Sequence, residues 1–179
     1  MGHERIAAGI IAAVMLAGCG SEGDGGGNTI DWDLSTSHTT ADVDWPEPGQ
    51  SAVQIEQPAS VRIRFPGGRS FSARSDVQAV GLERRGDRVT TIQLDSAPTT
   101  PDEAHRLALD WVGRWELPRA PIEDWYRRHR TATPETFASV EAVPDPGTTV
   151  GPGGPEPSLK ILNSFNDDRP AIVSLRFFW

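Results

Sequence analysis

Thr99 to Pro118 reads TTPDEAHRLALDWVGRWELP, and this stretch decides the fold. Thr99 and Thr100 supply capping hydroxyls, and Pro101 suits a first helical turn, where its missing N–H has no partner to lose. Asp102 and Glu103 stand beside the positive end of the helix dipole. Ala104, Leu107, Ala108, Trp111, Val112 and Trp115 then recur every three or four positions, which makes one apolar stripe, and Pro118 limits its extension. The spacing predicts an amphipathic helix that must lay two tryptophans on a broad apolar surface.

Period-two segments on either side supply that surface. Val61, Ile63 and Phe65 alternate with Arg62 and Arg64, and Pro66-Gly67-Gly68 turns the chain toward a short strand at Phe71 and Ala73. Val80 and Leu82, then Ile92 and Leu94, read as a hairpin reversing at Arg85-Gly86-Asp87. These segments predict a meander of up to four strands. A second, shorter helix is expected from Ala120 to His129, with Ile122, Trp125 and Tyr126 as its apolar members. Alternation from Thr136 to Glu141 suggests a strand. Pro144 to Pro157 holds nine Pro or Gly among fourteen residues, the composition of a solvated loop. Leu159, Ile161 and Phe165 on one strand and Ala171, Val173, Leu175, Phe177 and Trp179 on the next predict a closing hairpin through Asn166-Asp167-Asp168-Arg169-Pro170. The expected class is α+β, an antiparallel sheet of about five to six strands with one main amphipathic helix packed on one face.

Composition narrows the function classes. Twenty-five acidic against 17 basic residues give a formal net charge of -8, a field that opposes binding to nucleic acid. One cysteine, Cys19, excludes an intramolecular disulfide and any zinc site built on several thiolates. Sixteen of the 17 basic residues are arginine, and Lys160 is the single lysine.

The N-terminus carries an address. Ile6 to Gly18 is an unbroken run of 13 apolar or small residues behind Arg5, too short for a bilayer span and of the length of a secretory h-region. It ends in Leu16-Ala17-Gly18-Cys19, and here the chain resembles bacterial lipoproteins, whose lipobox ends in a cysteine directly after small residues. The resemblance implies cleavage before Cys19 (residues 1–18 forming the signal peptide), diacylglyceryl transfer to its thiol and, in many species, acylation of the new amino group. Two or three acyl chains, each buried methylene contributing about 0.8 kcal/mol, hold a protein stably at a bilayer. The implied location is the bacterial cell envelope. Gly20 in place of an inner-membrane-retaining Asp implies the outer membrane of a two-membrane cell, otherwise the outer face of the plasma membrane.

Residues 19–51 then read as a flexible acidic tether, with five glycines among the eight residues from Gly20 to Gly27. Trp32 and Trp45 are unusual in a spacer, which suggests that part of residues 30–48 docks on the domain or on a partner. Residues 52–179 are the expected single domain.

Motifs for chemistry are sparse. Asp31, Asp33, Ser35, Ser37, Thr39 and Asp42 fall at calcium-loop spacing, but Thr36 stands where the turn needs glycine and Asp42 where it needs glutamate. Arg85-Gly86-Asp87 matches an adhesion tripeptide, and hairpin-turn chemistry explains it equally well. His105 lies off the apolar stripe of its helix, among ion-pairing neighbours. No nucleophile elbow, H-E-x-x-H, P-loop or dinucleotide fingerprint occurs. Arg119, Trp125, Tyr126, Arg127, Arg128 and Arg130 form the one basic and aromatic cluster, a candidate contact for an envelope protein, read against a solvated helix end. The expected role is non-catalytic binding of an envelope protein or component, with no cofactor, no metal and no nucleic acid. A toxin-immunity or inhibitor protein, a small-ligand carrier and a small envelope enzyme are the alternative classes.

Overall fold

The computed structural model describes residues 28–47, 49–129, 140–142, 149–163 and 171–179, and nine strands and two helices lie among them. The strands are β1 (Thr29–Asp33), β2 (Ala52–Glu56), β3 (Ser60–Arg64), β4 (Ser70–Ala73), β5 (Ala79–Arg85), β6 (Arg88–Asp95), β7 (Val140–Ala142), β8 (Glu156–Asn163) and β9 (Ala171–Phe178). The helices are α1 (Pro101–Trp115) and α2 (Ala120–His129). The class is α+β.

The strands form two sheets. Six are antiparallel in the order β2-β5-β6-β9-β8-β7, and three form a smaller sheet, β1-β3-β4, in which β1 runs parallel to β3. The expected single sheet with a four-strand meander is therefore corrected. The hairpins β3–β4 and β5–β6 both form, but both sides of β5 are occupied, by β2 and by β6. The chain between β4 and β5 thus passes from one sheet to the other. At the β5–β6 turn Arg85 pairs with Arg88, and Gly86 takes φ 67°, the positive value that a two-residue hairpin turn requires of its first central position.

Helix α1 begins as its sequence dictates, with the Thr100 hydroxyl accepting from the Glu103 N–H at 3.3 Å. It ends at Glu116, whose backbone turns left-handed (φ 57°). The six stripe residues are all buried. Trp111 meets Phe71 of the small sheet edge-on at 5.7 Å, and Trp115 meets Phe65 at 5.6 Å and Phe177 of β9 at 4.9 Å. One helix thus cements both sheets with aromatic edges in an arrangement that adds to simple area burial.

Part of residues 30–48 docks on the domain, as Trp32 and Trp45 suggest, and the expected tether bounds of 19–51 are corrected to that extent. Ile30, Trp32 and Leu34 are 5%, 4% and 0% exposed and belong to the core, while Asp31 and Asp33 point outward to Arg62 and Arg64 of β3. Residues 28–47 are part of the domain. The physical reason is the alternation of apolar and acidic residues in β1 beside a strand that alternates apolar residues with arginines. The proline- and glycine-rich segment differs likewise: Val150 is buried, its N–H donates to the Pro155 carbonyl at 2.8 Å, and β8 already begins at Glu156. Residues 143–148, and the turn expected at 166–170, lie outside the described residues.

Candidate functional site

The expected contact cluster is divided by the folding of α2. Trp125 is 3% exposed and belongs to the core, which corrects its assignment to a contact surface: the apolar members of α2 face inward toward α1. Tyr126 is half-buried, stacks on the His105 ring at 3.9 Å with 6° between planes, and donates its hydroxyl to Asp102 at 2.7 Å. It tacks α2 to the first turn of α1. Arg127 and Arg128 are exposed and both pair with Asp124, at 2.9 and 3.0 Å. Arg119 is exposed just ahead of α2. Arg130 and Cys19 lie outside the described residues.

Burial holds the His105 imidazole below its ordinary pKa, against the opposing fields of Glu123 and Asp102. Its Nε2 is buried with no hydrogen-bond partner.

The calcium-like spacing brings no ligand set together. Asp31 and Asp33 face arginines, whereas the Asp42 carboxylate accepts from the Ser37 hydroxyl and from the Thr39 N–H and hydroxyl at 2.6–2.8 Å. Those three bonds hold its pKa below the usual carboxylate range, Thr39 contributing most. Among the described residues no group of three or more His, Cys, Asp or Glu is placed to hold a metal ion. Arg85, Gly86 and Asp87 are exposed at the hairpin tip, where the Asp87 carbonyl accepts from the Thr40 N–H at 2.8 Å.

A different surface concentrates polar side chains. Successive residues of a strand alternate between faces. With Leu159, Ile161, Val173, Leu175 and Phe177 buried toward α1, the positions on the other face are Glu156, Ser158, Lys160 and Leu162 on β8 and Ile172, Ser174, Arg176 and Phe178 on β9. The register sets Ser158 opposite Arg176 and Lys160 opposite Ser174. On the far side of β9, Gln93 stands opposite Arg176 and Asp95 opposite Ser174.

Two polar atoms of this quartet, the Ser174 hydroxyl and Arg176 Nε, are buried without a hydrogen-bond partner. Asp95, on the same face, accepts with both oxygens from Gln93 Nε2 at 2.7 and 3.0 Å. The sequence carried this quartet as serine alternating with a cation in each of the last two strands. Only the register of their hairpin shows that the two patterns interlock.

No protein-family model, curated protein or solved structure matches the chain.

Proposed function

We propose that the chain is an envelope lipoprotein, anchored through acylated Cys19, whose folded domain works outside the cytoplasm by binding an envelope protein or component without catalysis. The observation that carries this reading is Leu16-Ala17-Gly18-Cys19 at the end of a 13-residue apolar run. The placement of the fold supports it: the first described element begins at Thr29, so cleavage before Cys19 removes none of the described elements. Among the described residues no helix is long and apolar enough to cross a membrane, and an acyl anchor needs none.

Folding of residues 28–47 onto the domain shortens the leash. Nine peptide steps separate Cys19 from Asn28, and however they are arranged they reach at most about 32 Å. The lipid therefore holds the β1 end of the domain near the headgroups. Thr29 pairs with Ser60, and the Asn28 carbonyl accepts from the Ala59 N–H at 2.9 Å, so residues 57–60 share that proximal end. On this reading Arg119, Arg127 and Arg128 remain surfaces for a partner, while Trp125 acts by fixing the helix that displays them.

Intact-mass measurement of the chain from its native membrane tests the reading. The expected product begins at Cys19 and carries the added mass of two or three acyl chains, and Cys19→Ala accumulates as an unacylated precursor. A native chain that keeps residues 1–18 and no lipid overturns it.

A further inference from the structure

We propose that the outward face of β8 and β9 is a binding site for a phosphate group, formed by Lys160 and Arg176 with the hydroxyl of Ser174. The proposal deepens the binding role above and rests on it for the ligand's place outside the cytoplasm.

The register carries the argument. Side chains directly opposite on antiparallel strands have Cβ atoms roughly 5 Å apart, and diagonal neighbours roughly 7 Å apart. Lys160 and Arg176 are the diagonal of a two-by-two quartet whose other corners are the two serines. Two long cationic side chains on that diagonal can converge above its centre, with the Ser174 hydroxyl beside them. Two cations and a hydroxyl around one point suit a tetrahedral anion with several acceptor oxygens.

The unpaired state of both cations and of the buried donors points the same way. The chain is acidic overall, at -8, and many of its arginines are paired: Arg62, Arg64, Arg69, Arg106, Arg114, Arg127 and Arg128 each meet a carboxylate. Neither Lys160 nor Arg176 has an ion pair with a described carboxylate. Asp95, the acid beside Ser174, accepts from Gln93, while Glu141 on β7 is in register with Lys160 and Glu156 lies one step beyond Ser158 on β8. Ser174 is 0% exposed and its hydroxyl unpaired, as is Arg176 Nε. A buried donor without an acceptor is unfavourable, and a bound oxyanion supplies acceptors to both.

Apolar groups border the quartet on two sides. Leu162 and Ile172 are paired in register one step beyond Lys160 and Ser174, and Phe178, 39% exposed, is paired with Glu156 one step beyond Arg176 and Ser158. The Leu162–Ile172 side fits the organic group of an esterified phosphate. A phosphoester solute and a lipid headgroup share that chemistry.

The test titrates the purified full chain with inorganic phosphate at constant ionic strength, following backbone and Arg176 Nε resonances by NMR, and in parallel with vesicles containing phosphatidylglycerol. The expected result is saturable change centred on Ser158, Lys160, Ser174 and Arg176. Lys160→Gln and Arg176→Gln each weaken binding about tenfold, Ser174→Ala about threefold, and Arg114→Gln, remote on α1, not at all. Should Arg176→Gln fail to fold, Arg176→Lys keeps the charge but loses the forked geometry, and weakens binding about threefold. Tighter binding to vesicles than to phosphate, lost in the same variants, assigns the headgroup as source. Saturation by phosphate alone assigns a solute. No saturation by either probe, or equal affinity in folded Lys160 and Arg176 variants, overturns the proposal. Phosphate binding by a chain that proves unacylated removes the lipoprotein reading and leaves this site standing.

Discussion

The His38 ring stacks on Trp179, with centroids 4.9 Å apart and 16° between planes. Main-chain bonds show why the two meet. Trp179 donates its N–H to the Thr90 carbonyl at 3.0 Å, and the next position along β6, Val89, donates to the His38 carbonyl at 2.8 Å. Residues 38–40 thus take over the ladder beside β6 where β9 stops, and Thr39 bridges Arg88. The segment after β1 is a sheet-completing piece, and Trp179 is its apolar clasp, resting also on Phe65 at 6.3 Å.

Truncating that clasp separates its packing from its polarity. Trp179→Ala is expected to destabilise by about 2–3 kcal/mol through lost aromatic contact. Trp179→Phe is expected to lie within about 1 kcal/mol of the parent, because the indole N–H is buried without an acceptor and its removal forfeits no bond. Urea unfolding at neutral pH measures both. Equal losses in the two variants would show that the ring system as a whole, including its N–H, is required.

Acidification should loosen the same region. Burial, reinforced by the Arg88 guanidinium and opposed by Asp42, lowers the His38 pKa. Burial also lowers that of His105. A histidine with a depressed folded-state pKa binds a proton more readily when unfolded, so its share of stability is full above the unfolded value near 6.5 and declines as pH falls through the lowered one. Midpoints of urea unfolding should therefore drop between about pH 7 and pH 5. His38→Phe should flatten its part of that slope while keeping a ring on Trp179. An unchanged slope in both His38→Phe and His105→Phe would refute the assignment.

Trp32 tests whether the N-terminal segment is structure or spacer. Its side chain is 4% exposed on a strand held by β3 alone. Trp32→Ala is expected to cost about 3–5 kcal/mol, as for a core tryptophan, and to open residues 34–47 to limited proteolysis. A loss below about 1 kcal/mol would return the segment to the tether.

What the sequence disclosed and what it hid follow from the same physics. The stripe of α1, the span of α2 and the hairpins β3–β4 and β5–β6 are local: caps, turns and periodicity within about twenty residues specify them. β1 and β2 are hidden because neither joins its partner through a tight turn: β1 pairs with β3 and β2 with β5, each far along the chain. The clue to β1 was long-range, Asp31 and Asp33 answering Arg62 and Arg64 across a parallel pair. The interlocking of Ser158, Lys160, Ser174 and Arg176 is hidden for the same reason. Trp125 was misplaced because an aromatic next to arginines resembles a contact surface until the helix's inward face is known.

Gly151 offers the sharpest check on the segment expected to be a solvated loop. Its φ is +76°, and a Cβ there would lie 2.7 Å from the carbonyl carbon of Pro66 and 2.9 Å from the nitrogen of Gly67, in the turn between β3 and β4. Two turns thus meet backbone to backbone, and neither has a flexible side chain to yield. Gly151→Ala is expected to destabilise by at least about 2 kcal/mol, strain and left-handed backbone together. Gly49→Ala makes the control: φ is +103° but nothing lies within 4 Å of the added carbon, so only the conformational part, about 1 kcal/mol, should appear. Thermal unfolding of the pair distinguishes packing from backbone preference. Equal losses would mean that residues 149–155 do not press on the β3–β4 turn in solution.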